Sequence, residues 1–230
     1  MISWNFEAQA LSFGMERFID PFYKSQLIRT IIMINVGVFL AWLYSFYGGS
    51  LQFMAQNFLV SWDALVKGRF WVLLTSVFSH NAFFHIFINM FVLHSFGTVV
   101  IQITGRKAFL SFYLIAGLSG SFLHAATSYF LLNEPYLNAL GASGAIAGII
   151  LLYALLFPKK KILLLGFIPI GAIWGALLFV GIDLWGLIAQ TKGGGLPIGH
   201  GAHLGGALMG AVYYLWIRKK FKRDRFSELI

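Results

Sequence analysis

Two short motifs rich in small residues each contain one side chain that could take part in nucleophilic catalysis. Ser143 stands between Gly141-Ala142 and Gly144, and His203 follows a Gly-Ala pair about sixty residues later. A serine hydroxyl is a weak nucleophile unless a neighbouring base removes its proton. Imidazole has the pKa range to take that proton and return it to a leaving amine. The two residues therefore predict a Ser–His dyad for acyl transfer, provided that the fold brings them together.

The composition excludes an ordinary soluble protein. Hydrophobic residues make up 59% of the 230-residue chain and charged residues only 11%, against about 45–50% and about 25% in soluble domains. A run of roughly 20 apolar residues spans the ~30 Å hydrocarbon core of a bilayer. Six such runs are present, at residues 27–47, 84–102, 108–132, 140–157, 162–184 and 200–217. We therefore expect an all-α polytopic membrane protein.

The predicted spans form one domain. Because the connectors are short, a six-span unit fills residues 27–217, between an N-terminal segment, 1–26, and a basic tail, 218–230. Apolar residues at helical spacing predict that the N-terminal segment lies along the inner membrane surface: Trp4, Leu11, Met15, Phe18 and Phe22. No cleavable signal peptide is apparent, so the first span should remain as an anchor.

Positive charge sets the predicted orientation, because Lys and Arg are retained on the cytoplasmic side of a membrane. If both termini are cytoplasmic, the 17 Lys and Arg residues all fall on that side except Lys67, Arg69 and Lys192. The net charge of +9 is then explained by topology and by anionic lipid headgroups. A nucleic-acid partner is not expected.

Two connectors on the outer side differ in character. Residues 48–83 contain tryptophan and phenylalanine among glycine and charged residues, which predicts short amphipathic pieces in the membrane interface. Residues 186–199 include three consecutive glycines and a proline, which predicts a mobile loop. That loop could act as a lid or as a plain linker.

Polar residues of three spans should meet at one depth. Spans two, four and six run in the same direction, so their first residues lie in one layer below the outer interface. His85 and Asn89 begin span two, Ser143 begins span four, and His200 and His203 begin span six. Polar groups within spans are costly and usually functional. We expect the layer to contain the active site.

Glycine and amide groups complete the predicted site. Gly144 and Gly148 on span four, and Gly206 and Gly210 on span six, recur every four residues, a spacing that lets two membrane helices approach closely. An oxyanion needs fixed donors. The Asn89 amide and the Ser143 backbone N–H at a helix start are candidates, with His85 on the same helix face as Asn89.

Competing chemistries have less support in the sequence. The chain has no cysteine, which excludes a thiol nucleophile. No carboxylate is expected to complete a triad, since Asp183 near the end of span five is the only acid within a span. We expect no metal or other cofactor, although a metal bound by His85, His200 and His203 stays open as a minor alternative. We expect His80 to hold the long connector in place.

Taken together, these residues resemble the rhomboid family of intramembrane serine proteases. The resemblance covers roughly residues 70–214 and rests on three motifs in the family's order: His80-x4-His85-x3-Asn89, Gly141-Ala142-Ser143-Gly144 and Ala202-His203-Leu204-Gly205-Gly206 with Gly210. It implies a six-helix core, a Ser143–His203 dyad, and an oxyanion hole formed by His85, Asn89 and the Ser143 backbone. It also implies cleavage of single-pass membrane proteins near their outer ends, with substrate entering laterally near spans two and five.

Three departures from the family pattern affect the prediction. Val72 replaces an arginine that is frequent in bacterial members. Ala147 stands where a tyrosine often stacks on the catalytic imidazole, so the orientation of His203 has no evident support. His200, at a position where the family is variable, could orient His203 or merely face water.

We expect the protein to lie in a prokaryotic inner membrane. The alternatives are a rhomboid-like pseudoprotease, against which the intact Ser143 and His203 argue, and a transporter or channel. Substrate identity and oligomeric state do not follow from the sequence.

Overall fold

The computed structural model describes residues 21–164 and 167–223. The helices are α1 (Pro21–Gly48), α2 (Leu51–Phe58), α3 (Trp62–Val66), α4 (Val72–Thr75), α5 (Phe83–Val92), α6 (Thr98–Thr104), α7 (Arg106–Phe130), α8 (Ser143–Leu156), α9 (Ala172–Thr191) and α10 (His200–Arg223). Strands β1 (Lys161–Leu164) and β2 (Ile168–Gly171) form an antiparallel hairpin. The amphipathic pattern predicted for residues 1–26 falls largely outside the described range, as does the end of the basic tail.

Four helices in the described ranges are long and apolar enough to cross a membrane: Ser25–Gly48, Phe83–Thr104, Arg106–Phe130 and Ala172–Thr191. The second of these joins α5 to α6 through one π-helical turn, Leu93–Gly97. Helix α8 is apolar but has only 14 residues. Large apolar side chains are exposed on the outside of the bundle, as lipid contact requires. The chain is a multi-pass membrane protein, and its described residues are all-α apart from the β1–β2 hairpin.

The fifth predicted span begins too early. Residues 162–171 were expected to open a helix, but Lys161 pairs with Gly171 and Leu164 with Ile168 across the hairpin. β-branched isoleucines favour strand, and Pro169 cannot donate a helical hydrogen bond. Helix α9 therefore begins at Ala172 and continues to Thr191, beyond the predicted end at residue 184. This shift moves Asp183 from the end of the span to its interior.

The long connector consists of short helices, as predicted. Helices α2, α3 and α4 follow one another between α1 and α5. Trp62 of α3 stacks on Tyr129 near the end of α7, with ring centroids 5.0 Å apart. Val60 exchanges two backbone hydrogen bonds with Ala139, both of 2.9 Å. The connector is thus fixed to the segment that precedes α8.

Backbone contact between α8 and α10 forms the centre of the bundle. A Cβ on Gly148 would lie 2.7 Å from the Gly206 carbonyl oxygen, and one on Gly210 would lie 2.5 Å from the Gly148 carbonyl oxygen. A Cβ on Gly206 would overlap the carbonyl of Gly144. The close approach predicted from the glycine spacing is confirmed. Any side chain at these positions would separate the two helices.

Candidate active site

A cavity of about 730 Å³ opens among α5, α7, α8, α9 and α10. The predicted residues that line it are Ser143, His203, His85, Asn89, Gly141 and Gly144. His200 is 2% exposed and is not among the residues that line the cavity. The fold therefore brings residues from three helices and from the turn before α8 into one cavity. The sequence predicts this, because spans two, four and six begin at the same depth in the membrane.

The turn before α8 places Ser143 at the start of that helix. Gly141 has φ +128°, a left-handed conformation that favours glycine. Its N–H donates to the Ser76 carbonyl over 2.9 Å. A Cβ on Gly141 would lie 2.9 Å from His85 Nε2 and 3.8 Å from the Ser143 hydroxyl oxygen. The glycine thus serves both the turn and the close approach of the His85 ring to Ser143.

His80 also contacts the turn before α8. Its Nε2 accepts a 3.4 Å hydrogen bond from the Ala142 backbone N–H, and its ring lies 4.8 Å from that of His85. Burial, with a smaller contribution from the charge of His85, lowers the pKa of His80 to about 3. The imidazole is therefore neutral and keeps a bare nitrogen as acceptor. The sequence predicts that His80 holds the long connector in place. In the structure His80, at the end of that connector, bonds to the turn that precedes Ser143.

Helix α9 fixes the ring of His203 in two directions. Phe179 stacks on the imidazole, with centroids 5.4 Å apart and an interplanar angle of 30°. Asp183, one turn further along the helix, accepts a 2.9 Å hydrogen bond from His203 Nδ1 through Oδ1. Nε2 is consequently the ring nitrogen that this hydrogen bond leaves available in the cavity that His203 shares with Ser143. Phe179 supplies the stacking that Ala147 cannot.

The prediction that no carboxylate would reach His203 is wrong. Asp183 has a side chain only 4% exposed, and its Oδ1 also accepts a 2.7 Å hydrogen bond from His200 Nδ1. The error came from the early start of span five, which left the acid at a helix end without an evident partner. A lone acid in an apolar helix, at the same depth as Ser143 and His203, was the signal available. The sequence around Phe179 did not indicate a contact with His203. Its position four residues before Asp183, on the same helix face, was the one feature that linked it to the site.

Ser143 and His203 face the same cavity, but their side chains form no direct hydrogen bond among the described contacts. Such bonds are often long before substrate binds. On α5, the Asn89 amide donates one N–H to the His85 carbonyl over 2.8 Å, which leaves its second N–H for a ligand. The Ser143 N–H belongs to the first helical turn, whose N–H groups have no intrahelical acceptor.

The loop after α9 borders the cavity. Pro197, Ile198 and Gly199 line it. The Gln190 amide donates to the carbonyl oxygens of Leu196 and Ile198, over 2.8 and 2.9 Å. These bonds hold the loop to the end of α9. Within the described residues there is no group of three His, Cys, Asp or Glu side chains placed to hold a metal ion.

Comparison with known proteins places this geometry in a family. The sequence model of the rhomboid domain matches residues 67–220, which include every residue of the candidate site. The chain belongs to the rhomboid family. The family prediction made from the three motifs is confirmed.

Three rhomboid relatives match most of this chain. It is 33% identical over 218 residues to RHOMBOID-like protein 12, mitochondrial, of Arabidopsis thaliana, which covers 90% of this chain and 62% of that protein. It is 30% identical over 210 residues to Rhomboid protein 1, mitochondrial, of Saccharomyces cerevisiae, covering 90% and 58%. It is 32% identical over 201 residues to the human presenilin-associated rhomboid-like protein, mitochondrial, covering 86% and 50%. The chain thus spans half to about three fifths of these relatives' length.

These relatives correct the predicted location. A prokaryotic inner membrane was expected, yet the rhomboid proteins that match this chain are mitochondrial proteins of a plant, a yeast and a mammal. The charge distribution on which the orientation rests distinguishes the two sides of a membrane. It does not distinguish one membrane from another.

Proposed function

We propose that this rhomboid is an intramembrane serine endopeptidase that cleaves single-pass transmembrane proteins. The observation that carries the proposal is Ser143 at the start of α8, in the same cavity as a histidine whose Nδ1 is bound by a buried carboxylate. That arrangement leaves His203 Nε2 as a base for the serine hydroxyl. Family membership supports the same chemistry.

In the proposed reaction, the Ser143 hydroxyl oxygen attacks the carbonyl carbon of the scissile peptide bond, and His203 Nε2 takes the hydroxyl proton. The oxyanion of the tetrahedral intermediate accepts hydrogen bonds from the Ser143 N–H, the free N–H of Asn89 and the His85 ring. The carbon–nitrogen bond then breaks, and His203 gives its proton to the leaving amine. Water, activated by the same histidine, hydrolyses the acyl-enzyme and restores Ser143.

We further propose a bundle of six spans in a mitochondrial membrane, with both chain ends on one side. Helices α8 and α10 would supply the two spans beyond the four that are apolar and long enough by themselves. The proposed organisation is an interfacial segment 1–26, a protease domain 27–217 and a basic tail 218–230. A substrate helix would approach laterally between α5 and α9, two helices that line the cavity and also expose large apolar side chains.

Labelling with a fluorophosphonate tests the proposal. The purified chain in detergent is treated with the probe, and mass spectrometry locates the modified residue; a single-pass transmembrane reporter is then assayed for cleavage. We expect modification of Ser143 and cleavage by the wild type, and loss of both in Ser143→Ala and His203→Ala. Ser143→Ala should leave stability in detergent nearly unchanged, whereas His203→Ala should lower it, because it removes one donor from the buried Asp183 carboxylate. Ser95→Ala is the matched control, since Ser95 is exposed and its hydroxyl donates to the Phe91 carbonyl one turn earlier.

The outcomes separate the alternatives. Cleavage by purified Ser143→Ala would overturn the mechanism. A wild-type protein that binds the reporter but neither cleaves it nor takes the label would be a pseudoprotease. His200→Ala should retain labelling, whereas His203→Ala should lose it; the reverse order would assign the base to His200.

A further inference from the structure

Asp183 makes hydrogen bonds to two histidines through one oxygen. Its Oδ1 lies 2.9 Å from His203 Nδ1 and 2.7 Å from His200 Nδ1. The two histidines are three residues apart on α10, so they lie on the same helix face. We refer to Asp183, His200 and His203 as the His–Asp–His bridge. Together with the stacking of Phe179, it joins α9 to the proposed base.

The bridge is buried, which makes its hydrogen bonds important. The side chains of Asp183 and His200 are 4% and 2% exposed, and a buried carboxylate is costly unless donors surround it. Both ring nitrogens that face Oδ1 must therefore carry a proton. For each histidine this selects the tautomer with hydrogen on Nδ1 and, when the ring is neutral, a bare Nε2.

His200 is held in place on its other side. A Cβ on Gly186 would overlap the His200 ring, so the absence of a side chain there makes room for the imidazole. Gly186 follows Asp183 by three residues and shares its helix face. Helix α9 thus supplies both the acceptor for His200 and the space that the ring occupies. His200 is fixed as a donor to Asp183 and is not directed toward the cavity.

We propose that Asp183 is the positioning residue of the proposed protease: it holds His203 with its proton on Nδ1 and Nε2 toward Ser143, and His200 is the second donor that fixes Asp183. This inference rests on the proposed Ser143–His203 chemistry. It replaces the dyad expected from the sequence by a Ser–His–Asp arrangement whose acid is itself oriented by a buried histidine. Asp183 touches no reacting atom and acts only through His203.

The competing interpretation is a structural contact that merely joins α9 to α10. The two interpretations differ in what they predict for the tautomer of His203. An asparagine at position 183 keeps the size of the side chain but presents an N–H that can donate to Nδ1, and so allows the wrong tautomer. A purely structural role would change stability and substrate binding, whereas a positioning role changes kcat and the ring tautomer.

The test compares Asp183→Asn with Asp63→Asn, the same chemical change in an acid of the connector that pairs with Lys67. Cleavage of the reporter is measured as kcat and KM, Ser143 labelling is timed with the fluorophosphonate, and ¹⁵N-histidine spectra report the His203 tautomer in detergent. We expect Asp183→Asn to lower kcat on the order of 10²–10⁴-fold with KM nearly unchanged. The His203 signals should shift away from the Nδ1–H form. Asp63→Asn should match the wild type.

A second pair of variants addresses His200 without altering Asp183. In His200→Asn the amide nitrogen can take the place of imidazole Nδ1 as a donor, whereas His200→Leu removes the donor at similar size. We expect the leucine variant to be slower by roughly 10–100-fold, the worth of a hydrogen bond to a charged group, and the asparagine variant to recover most of that loss. Equal rates for the two variants would overturn the role of His200.

Labelling of Asp183→Asn at the wild-type rate, or a slower variant with an unchanged His203 tautomer, would overturn the positioning role. Failure of the proposed function looks different. In that case the wild type takes no label at Ser143 and does not cleave the reporter. The ¹⁵N spectra of wild type and Asp183→Asn would still show whether Asp183 sets the tautomer of His203.

Discussion

Replacing Gly148 by alanine tests whether the α8–α10 contact positions the site. The added Cβ would lie 2.7 Å from the Gly206 carbonyl oxygen and 3.0 Å from the Cβ of Ala116 on α7. Neither neighbour can rotate out of the way, because one is backbone and the other is the first atom of a side chain. Restoring an ordinary contact requires α8 and α10 to separate by about half an ångström.

The size of the effect follows from two opposing contributions. Overpacking of a close contact costs about 1–3 kcal/mol, and alanine gains about 0.5–1 kcal/mol over glycine in a helix interior. The net loss in free energy of unfolding should be about 1 kcal/mol, within a range of about 0–2.5 kcal/mol. A misplacement of about 1 Å can lower a rate by about 10², so half of that should slow Ser143 labelling by about tenfold.

Gly37→Ala is the matched control, because Gly37 is also within a helix and a Cβ there would meet nothing within 4 Å. Free energies of unfolding are measured by titration with SDS in mixed micelles, and labelling rates with the fluorophosphonate. Gly37→Ala should be as stable as the wild type or more so, with an unchanged rate. If Gly148→Ala behaved like Gly37→Ala in both assays, the backbone contact between α8 and α10 would not control the site.

Three further outcomes are expected. Asn89→Ala should lose one oxyanion donor and slow reporter cleavage on the order of 10²–10³-fold; an unchanged rate would remove Asn89 from the oxyanion hole. Single cysteines at Lys160 and Gly194 should react from opposite sides of the membrane with an impermeant thiol reagent, 160 from the side of the basic tail; reaction from one side would contradict six spans. Because the pKa of His80 is lowered to about 3, the unfolded chain binds the extra proton below about pH 6.5, so the free energy of unfolding should fall as pH drops from 7 to 5. His80→Gln, which keeps an acceptor for the Ala142 N–H, should make that fall shallower.

Local patterns were enough to predict the residues on α5, α8 and α10. On α8 and α10, Ser143 and His203 lie in the first turn next to glycines whose spacing marks a contact, and on α5 Asn89 follows His85 by one turn. Each span by itself was therefore enough to predict these residues, which meet in one cavity. The glycine spacing also predicted which helices touch. These features depend on short stretches of sequence, which is why they could be predicted without a structure.

Helix α9 could not be predicted in the same way. Its start depends on whether residues 161–171 pair as a hairpin or form helix. Apolar periodicity does not distinguish helix from strand in a short run of β-branched residues. Placing its start ten residues early moved Asp183 to the end of the span. The partners of His203 depend on how α9 is positioned against α10, which is a tertiary contact and leaves no local pattern.

The support of His203, the proposed base, therefore comes from a different helix than the one on which His203 lies. Phe179 and Asp183 are one turn apart on α9, and together they set the plane of the imidazole and its rotation. The outer face of α9 is exposed, with Trp174 and Trp185 among its exposed side chains, while α8 and α10 are joined by backbone contact. Ser143 and the Cα of His203 are thus held by the rigid pair of helices. The orientation of the His203 ring, and with it the direction of Nε2, depends on where α9 lies.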